Sequence, residues 1–204
     1  MLWIITGIII SYLVGSIPTA YIFGRLLKGI DIRKFGSGNV GATNAFRVLG
    51  RGVGITVLAL DAFKGFATVA FLAPTGELFA IVFGLSCVIG HIWTIFLGFR
   101  GGKGMATTLG VLLGLTFKIS GLKIVLGIAI LIWLVTFIVS RIISLASIVS
   151  AIALPMLTVV FRQSITLISL SIILSALVIL RHWPNINRLF KGQEPRLNLS
   201  KPTR

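Results

Sequence analysis

The sequence predicts an all-α integral membrane protein with about seven transmembrane helices, an outside N-terminus and a cytoplasmic C-terminus. Hydrophobic residues make up 56% of the 204 positions and charged residues only 11%, whereas about a quarter of the residues in a soluble domain are charged. This length suits one compact unit, so we predict a single membrane-embedded domain over residues 1–204. A lipid bilayer must then cover most of the apolar surface.

Seven apolar segments account for these helices. They cover residues 2–27, 53–73, 78–99, 105–117, 122–139, 142–161 and 165–180. A spanning helix needs about 20 residues, which the fourth segment lacks unless it starts within the preceding loop or lies among other helices. Pro18 is expected to kink the first helix and Pro155 the sixth. Gly110 and Gly114 form a GxxxG pair that permits close helix contact.

The basic residues predict the orientation. With an outside N-terminus, 15 of the 19 Lys and Arg residues fall on the inner side, at Arg25, in the loops 28–52 and 100–104, at Arg141 or in the tail 181–204. The exceptions are Lys64, Lys118, Lys123 and Arg162. This asymmetry follows the positive-inside rule, and five spans with two re-entrant segments would also satisfy it. Every glycine-rich or basic polar element is therefore predicted to face the cytoplasm.

The composition argues against several functional classes. A net charge of +15 would suggest nucleic-acid binding in a soluble protein, but too little soluble mass exists here for such a surface, so no nucleic-acid partner is predicted. Two histidines, one cysteine and four carboxylates argue against a metal site. They also argue against a Ser-His-Asp relay, because no carboxylate is expected beside either histidine. Cys87 is expected to pack, and no cofactor is predicted.

A glycine-dense polar loop at residues 36–44 lies between two apolar segments. Gly36, Gly38 and Gly41 spell GxGxxG, and Asp61 follows farther along. A dinucleotide site also requires a preceding strand, which is missing, and Asp61 lies inside an apolar segment. We therefore reject that interpretation.

The loop suits a phosphate group better, because glycines let backbone N–H groups face an anion. Arg47 lies one turn beyond Thr43 and can bind phosphate with two hydrogen bonds. Thr43 or Asn44 is also expected to cap a short helix ending near Gly50. The binding candidates in this loop are Gly36, Ser37, Gly38, Asn39, Thr43, Asn44 and Arg47.

A second loop at residues 100–104 adds Gly101, Gly102 and Lys103 as candidates. The alternative for either loop is a well-capped surface turn with solvated charges. Two such loops predicted on one side favour a phosphate site instead.

Other polar residues near apolar segments have structural interpretations. Asp61 and Lys64 are expected to pair with each other, with a substrate contact as the alternative. His91 is expected to pack or to bond backbone near the inner interface. His182 opens the basic tail and could bond a substrate oxygen.

Four stretches resemble the bacterial acyl-phosphate glycerol-3-phosphate acyltransferase family (PlsY family), and the resemblance spans almost the whole chain. The first is Gly-Ser-Gly-Asn-Val-Gly-Ala-Thr-Asn-Ala-Phe-Arg at 36–47. The second is Gly90-His91 followed by Gly-Gly-Lys-Gly-Met-Ala-Thr at 101–107. The others are Ser-Leu-Ala-Ser at 144–147 and the polar residues of 181–194. Trp93-Thr94, Trp183-Pro184 and Arg100 depart from the usual family pattern.

The resemblance implies an enzyme of the bacterial inner membrane. Its substrates would be fatty acyl-phosphate and glycerol 3-phosphate, and its product lysophosphatidate, the first step of phospholipid synthesis. It implies phosphate-binding roles for Ser37, Arg47, Lys103 and Ser144, and it places His182 and Asn185 near the reacting groups. The catalytic candidates are Ser37, Arg47, Lys103, His182 and Asn185. Ser144 and Glu194 join the two loops as substrate-binding candidates.

Two other functions fit parts of the pattern. A transporter or flippase for a phosphorylated molecule would also need anion-binding loops, but it predicts a polar path across the membrane, and the outer helix halves are nearly devoid of polar residues. A structural protein that binds anionic lipid would not need glycines at these spacings. The expected partners are the two substrates and membrane lipid. The sequence does not determine the oligomeric state, and a monomer is compatible with it.

Overall fold

The computed structural model describes residues 2–197, and helices with connecting loops account for all of its regular structure. The ten α-helices of this part of the chain are α1 Leu2–Ser16, α2 Thr19–Lys28, α3 Ala42–Leu49, α4 Arg51–Ala67, α5 Glu77–Ile92, α6 Met105–Leu115, α7 Leu122–Ser140, α8 Ile143–Val160, α9 Ile165–Arg181 and α10 Trp183–Phe190. A π-helical turn, Thr68–Leu72, extends α4. Part of the predicted tail, residues 198–204, lies outside the described residues.

The described residues form two compact units, divided after Lys118. Unit 1 contains α1 to α6 and both glycine-rich loops, and unit 2 contains α7 to α10. That residues 1–204 form a single domain stays a prediction.

Glycines bring the helices of unit 1 into close contact. Ser86 Oγ donates to Ile8 O (2.9 Å) and Thr94 Oγ1 donates to Ser16 O (2.5 Å), so α1 and α5 run in the same direction. A Cβ atom on Gly90 would overlap the carbonyl oxygen of Tyr12.

The helices α4 and α6 approach each other in the same way. A Cβ atom on Gly110 would overlap the carbonyl oxygen of Ala62, and one on Gly114 would crowd Val69. The GxxxG prediction is therefore confirmed, because the absent side chains let the two backbones meet.

The first apolar segment is interrupted at Ile17 and Pro18, where α1 and α2 meet at a bend of 40°. Proline lacks the amide hydrogen that would continue the helix, so the predicted kink is confirmed as a full break. At this break, the carbonyl groups of Ser16 and Ile17 accept hydrogen bonds from side chains of other elements. Thr94 Oγ1 donates to Ser16 O, and Lys64 Nζ donates to Ile17 O at 3.1 Å.

Unit 2 is built from three long apolar helices and a short amphipathic one. Ser150 Oγ of α8 donates to Ala129 O of α7 at 2.9 Å, and α8 continues through Pro155 without a break. The chain bends by 60° between α9 and α10. Beyond α10, the Leu197 amide donates to Arg141 O at 2.8 Å, which returns the tail to the start of α8.

Within residues 2–197, four continuous helices are long and apolar enough to cross a membrane, or up to six if each bent pair counts as one span. The bent pairs are α1 with α2 and α9 with α10, and α6 is a shorter apolar helix, as the sequence predicted. These helices confirm an all-α integral membrane protein. A count of seven spans and the orientation of the termini stay predictions.

Candidate active site

The first glycine-rich loop is folded around the side chain of Asn44, which is only 1% exposed. Its Oδ1 atom accepts a hydrogen bond from the Ser37 amide at 2.8 Å. Its Nδ2 atom donates to Phe35 O at 3.1 Å and to Ile32 O at 3.4 Å. Gly36 has a φ of +61°, and a Cβ atom there would overlap Asn44 Oδ1. Asn44 therefore holds Ser37 in place.

The helix after this loop begins without a side-chain cap. Its N-cap residue is Gly41, and α3 runs from Ala42 to Leu49. The predicted helix and its end near Gly50 are confirmed, but the expected cap by Thr43 or Asn44 is wrong. Both residues lie inside the first turn, and the Asn44 side chain bonds the preceding loop instead.

An ion pair precedes the loop. Arg33 Nε donates to Asp31 Oδ1 at 3.0 Å, and Arg33 Nη2 donates to Oδ2 at 2.8 Å. These hydrogen bonds lower the pKa of Asp31 from 3.8 to about 2. Arg33 and Arg25 also lie over the ring of Tyr21, each 5.3 Å from its centroid. Arg33 is therefore engaged within the loop.

The second glycine-rich loop packs against the end of α5. The Gly101 amide donates to Ile92 O, and the Gly102 amide donates to His91 O, both at 3.0 Å. A Cβ atom on Gly101 would overlap His91 O, and one on Gly102 would overlap His91 Nε2. The expectation that these amides lie open to an anion is wrong, because both donate to carbonyl groups at the end of α5. The two glycines instead permit close packing.

Lys103 follows this contact and is half-buried. Gly104, with a φ of +82°, then starts α6. Lys103 is thus the residue directly before the N-cap of α6, and its phosphate-binding role stays a prediction.

A hydrophobic cluster joins the two loop regions within unit 1. Leu97, which lies between α5 and the second loop, packs in the same cluster as residues of the first loop and of the helices around it. The cluster consists of Ala20, Ile32, Val40, Ala45, Leu49, Val57 and Leu97. The second loop follows α5, and the first loop follows α2, which continues the chain after the bend at the end of α1.

Asp61 and Lys64 pair with each other, as predicted, with Lys64 Nζ 2.9 Å from Asp61 Oδ1. Thr19 Oγ1 also donates to Asp61 Oδ1 at 2.8 Å. His91 packs as expected, since it is only 7% exposed, and its Nδ1 atom also lies 2.9 Å from Lys64 Nζ, a contact that the sequence did not predict. Asp61 Oδ1 is only 3.7 Å from the same ring nitrogen. A carboxylate therefore does lie beside a histidine.

In unit 2, Glu194 gathers three donors from separate elements. Its Oε1 atom accepts from Ser144 Oγ at 2.7 Å and from Asn185 Nδ2 at 2.6 Å, and its Oε2 atom accepts from Arg188 Nε at 2.7 Å. Burial alone would raise the pKa of Glu194, but these hydrogen bonds outweigh it and the pKa is lowered. Glu194 thus contacts both Ser144 and Asn185 through one oxygen atom and orients their side chains.

His182 lies at the junction of α9 and α10 and is 3% exposed. Its Nδ1 atom lies 2.8 Å from Val178 O. A carbonyl oxygen only accepts, so Nδ1 carries the hydrogen, and a neutral His182 presents an unprotonated Nε2. The backbone N–H of Asn185 donates to the backbone carbonyl of His182. This bond fixes the two candidates relative to each other.

The structure therefore assembles the candidates in two sets. Unit 1 holds Gly36, Ser37, Gly38, Asn39, Thr43, Asn44, Arg47, Gly101, Gly102 and Lys103, and unit 2 holds Ser144, His182, Asn185 and Glu194. Sequence reasoning missed Arg188 as a partner of Glu194, although the amphipathic pattern of 183–190 could have indicated α10. Among the described residues, no group of three or more His, Cys, Asp and Glu residues could hold a metal ion.

The long apolar helices define a membrane-embedded protein. A family model for glycerol-3-phosphate acyltransferase matches residues 5–192, and the chain belongs to this family. It is 45% identical to glycerol-3-phosphate acyltransferase 2 of Moorella thermoacetica, over 96% of this chain and 98% of that protein. The resemblance and the enzyme class expected from the sequence are thus confirmed.

Two solved structures have the same fold. Both are crystal structures of PlsY, an integral membrane glycerol 3-phosphate acyltransferase. The glycerol 3-phosphate form has a TM-score of 0.86 at 38% identity and covers 96% of each chain. The lysophosphatidic acid form has a TM-score of 0.83 at 37% identity and covers 96% of this chain and 95% of that one.

Proposed function

We propose that this chain transfers a fatty acyl group from acyl-phosphate to the 1-hydroxyl group of glycerol 3-phosphate, and releases lysophosphatidate and phosphate. Family membership supports the reaction class. The similar PlsY structures contain glycerol 3-phosphate in one form and lysophosphatidic acid in the other, which are the acceptor and the product of this reaction.

The reaction needs little covalent help from the protein, because an acyl-phosphate is already activated. The hydroxyl oxygen attacks the acyl carbonyl carbon and forms the ester bond. The bond from that carbon to the phosphate oxygen breaks, and phosphate leaves with the electron pair. A substrate phosphate oxygen accepts the hydroxyl proton, so no side chain has to act as a strong base. The protein positions two anions and stabilises the charge that develops.

The observation that carries the site assignment is the hydrophobic cluster that unites the two loop regions of unit 1. The cluster supports Ser37, Arg47 and Lys103 acting together on phosphate oxygens. Asn44 sets the position of Ser37, and His91 closes the loop that precedes Lys103. Because the Gly101 and Gly102 amides are bonded inside the protein, side chains rather than these amides supply the charge.

On the ground of the family resemblance, we also propose roles in this reaction for three polar residues of unit 2. Ser144 and Asn185 share Glu194 as a hydrogen-bond acceptor, which orients both side chains. We assign them, together with His182, to the reacting groups. Glu194 itself carries a negative charge and has three protein donors, so its role is to orient neighbours.

The enzyme is proposed to lie in the bacterial cytoplasmic membrane with both loops facing the cytoplasm, where soluble glycerol 3-phosphate is found. The acyl chain would lie between apolar helices in contact with membrane lipid. A single chain carries every residue named above, so a monomer suffices, and the proposed reaction requires neither a cofactor nor nucleic acid.

Purified protein with palmitoyl-phosphate and labelled glycerol 3-phosphate should produce labelled lysophosphatidate and an equal amount of inorganic phosphate. The variants Arg47→Ala and Lys103→Ala should each lower turnover by roughly 10²–10³-fold, because each removes a charged donor to the transition state. Thin-layer chromatography of the labelled lipid and a phosphate assay measure the two products.

Lys191→Ala is a matched control, because this exposed basic residue is absent from the site and should leave turnover unchanged. Normal turnover in both Arg47→Ala and Lys103→Ala would refute the site assignment. Uptake of labelled glycerol 3-phosphate into vesicles without any acyl donor, and without lipid product, would favour a transporter instead.

A further inference from the structure

Unit 1 contains a cluster of buried polar residues that the proposed reaction does not use. Asp61 is 1% exposed, Lys64 7% and His91 7%, and all three lie within apolar helices. Thr19, at the start of α2, joins them through its bond to Asp61. Ionisable groups at such depth are costly, and in membrane proteins they commonly serve function.

Lys64 is the centre of this cluster. Its ammonium group lies 2.9 Å from Asp61 Oδ1, 2.9 Å from His91 Nδ1 and 3.1 Å from Ile17 O. A lysine ammonium has three hydrogens and no acceptor, so these three partners use its full capacity. The residue thereby connects the break between α1 and α2 with the end of α5.

The bond from Lys64 determines how His91 is oriented. Because the ammonium donates, Nδ1 must accept, and the hydrogen of a neutral His91 lies on Nε2. Nε2 lies directly against Gly102, where a Cβ atom would overlap it. His91 and Ile92 also hold the Gly102 and Gly101 amides through their carbonyl oxygens. The second loop therefore packs against the His91 ring, whose orientation depends on Lys64.

A buried ion pair is weak evidence of a role in stability, because an apolar pair of similar volume often stabilises a protein equally well. An apolar pair, however, could not orient a histidine ring. We propose that Lys64 is a positioning residue for catalysis, which acts through His91 on the loop that presents Lys103. This inference rests on the proposed role of Lys103 in binding substrate phosphate.

The decisive variant is Asp61→Asn combined with Lys64→Met, which removes both charges and leaves neither one buried alone. It should retain the thermal stability of the parent protein. Its kcat/KM for glycerol 3-phosphate should fall by roughly 10–100-fold, since small displacements of a positioned group have effects of this size. Lys64→Met alone should also lower the melting temperature, because it leaves Asp61 without its counter-ion.

His91→Phe provides an independent measurement, because phenylalanine keeps a ring against Gly102 but cannot accept from Lys64. It should lose activity to a similar degree. Adding it to the Asp61→Asn, Lys64→Met variant should cause little further loss, since all three changes interrupt one connection. Lys118→Met is the matched control. Lys118 also donates to backbone carbonyl groups, at Ala73 and Pro74, but it lies past the opposite end of α6.

The outcomes separate the two proposals. Full activity of both Arg47→Ala and Lys103→Ala would refute the proposed site. If Lys103→Ala is inactive while the Asp61→Asn, Lys64→Met variant is fully active, the cluster serves stability alone and the inference is overturned. If the paired variant does not fold, His91→Phe decides the question: full activity overturns the inference, and a folded protein with low kcat/KM supports it.

Discussion

At the scale of single residues, the sequence identified candidates more reliably than it identified their roles. Asn44 was expected to cap a helix, but its side chain instead bonds the loop that holds Ser37, and its phosphate-binding role stays a prediction. Glu194 was grouped with substrate-binding residues, which stays a prediction, and the structure adds three protein donors to its carboxylate. These roles depend on partners that are distant in the chain or on loop geometry, neither of which a single sequence displays. His91 and Asp61 could not be paired from spacing alone for the same reason.

The lowered pKa of Glu194 makes a prediction about pH. Ionised Glu194 stabilises the folded protein above its ordinary pKa of 4.5, and this contribution is lost as the pH falls through the lower pKa of the folded state. Glu194→Gln should therefore destabilise the protein at pH 7 by about 1–3 kcal/mol. The difference in melting temperature between the parent and this variant should shrink as the pH falls below that value.

Glu194→Gln should also lower turnover at pH 7, because Ser144 and Asn185 lose their shared carboxylate. Glu77→Gln, at the start of α5, makes the same chemical change away from the site and should keep full turnover. A difference in melting temperature that stays constant from pH 7 to pH 3 would contradict the proposed ionic role.

At the scale of elements, hydrophobic pattern and proline position predicted the helices well. All seven apolar segments are helical, and the break at Pro18 and the short α6 follow the pattern. The third segment ends as a helix at Ile92, where the chain turns to support the second loop. The sequence analysis missed α10, because its amphipathic residues were assigned to a polar tail.

The contact between α4 and α6 supports a prediction about glycine. Gly110→Ala should lower the melting temperature, with a cost of roughly 1–3 kcal/mol, because its Cβ atom would meet the backbone of Ala62. Gly127→Ala in α7 is the control, since nothing lies within 4 Å of a Cβ atom there. That substitution should be neutral or slightly stabilising, because alanine favours a helix. Equal effects of the two variants would show that helix propensity, not the close contact, decides the outcome.

At the scale of the whole molecule, composition was sufficient to predict a membrane protein, and the loop motifs were sufficient to indicate its family. The family match and the similar PlsY structures confirm both. The number of spans is harder to predict, because length and hydropathy alone do not show whether two helices joined at a bend cross the bilayer as one span. The side of the membrane that each loop faces stays a prediction.

Cysteine labelling tests that prediction in intact cells. In a Cys87→Ala background, Ser37→Cys and Arg100→Cys should resist a membrane-impermeant maleimide until the cells are opened. Thr75→Cys, in a connection predicted to face outward, should react at once. All three positions are exposed in the structure, so access to the thiol depends on sidedness. Reaction of Ser37→Cys and Arg100→Cys from opposite sides would refute the proposed site.

The internal bonding of the second glycine-rich loop has a consequence for inhibitor design. The Gly101 and Gly102 amides already donate to Ile92 and His91, so compounds that mimic phosphate by accepting from a row of backbone amides would gain nothing from this pair. An effective competitor should present its negative charge to the Lys103 ammonium, whose flexible stem tolerates varied acidic groups. Selectivity over nucleotide-binding proteins, which hold phosphate through backbone amides, would follow from that difference in chemistry.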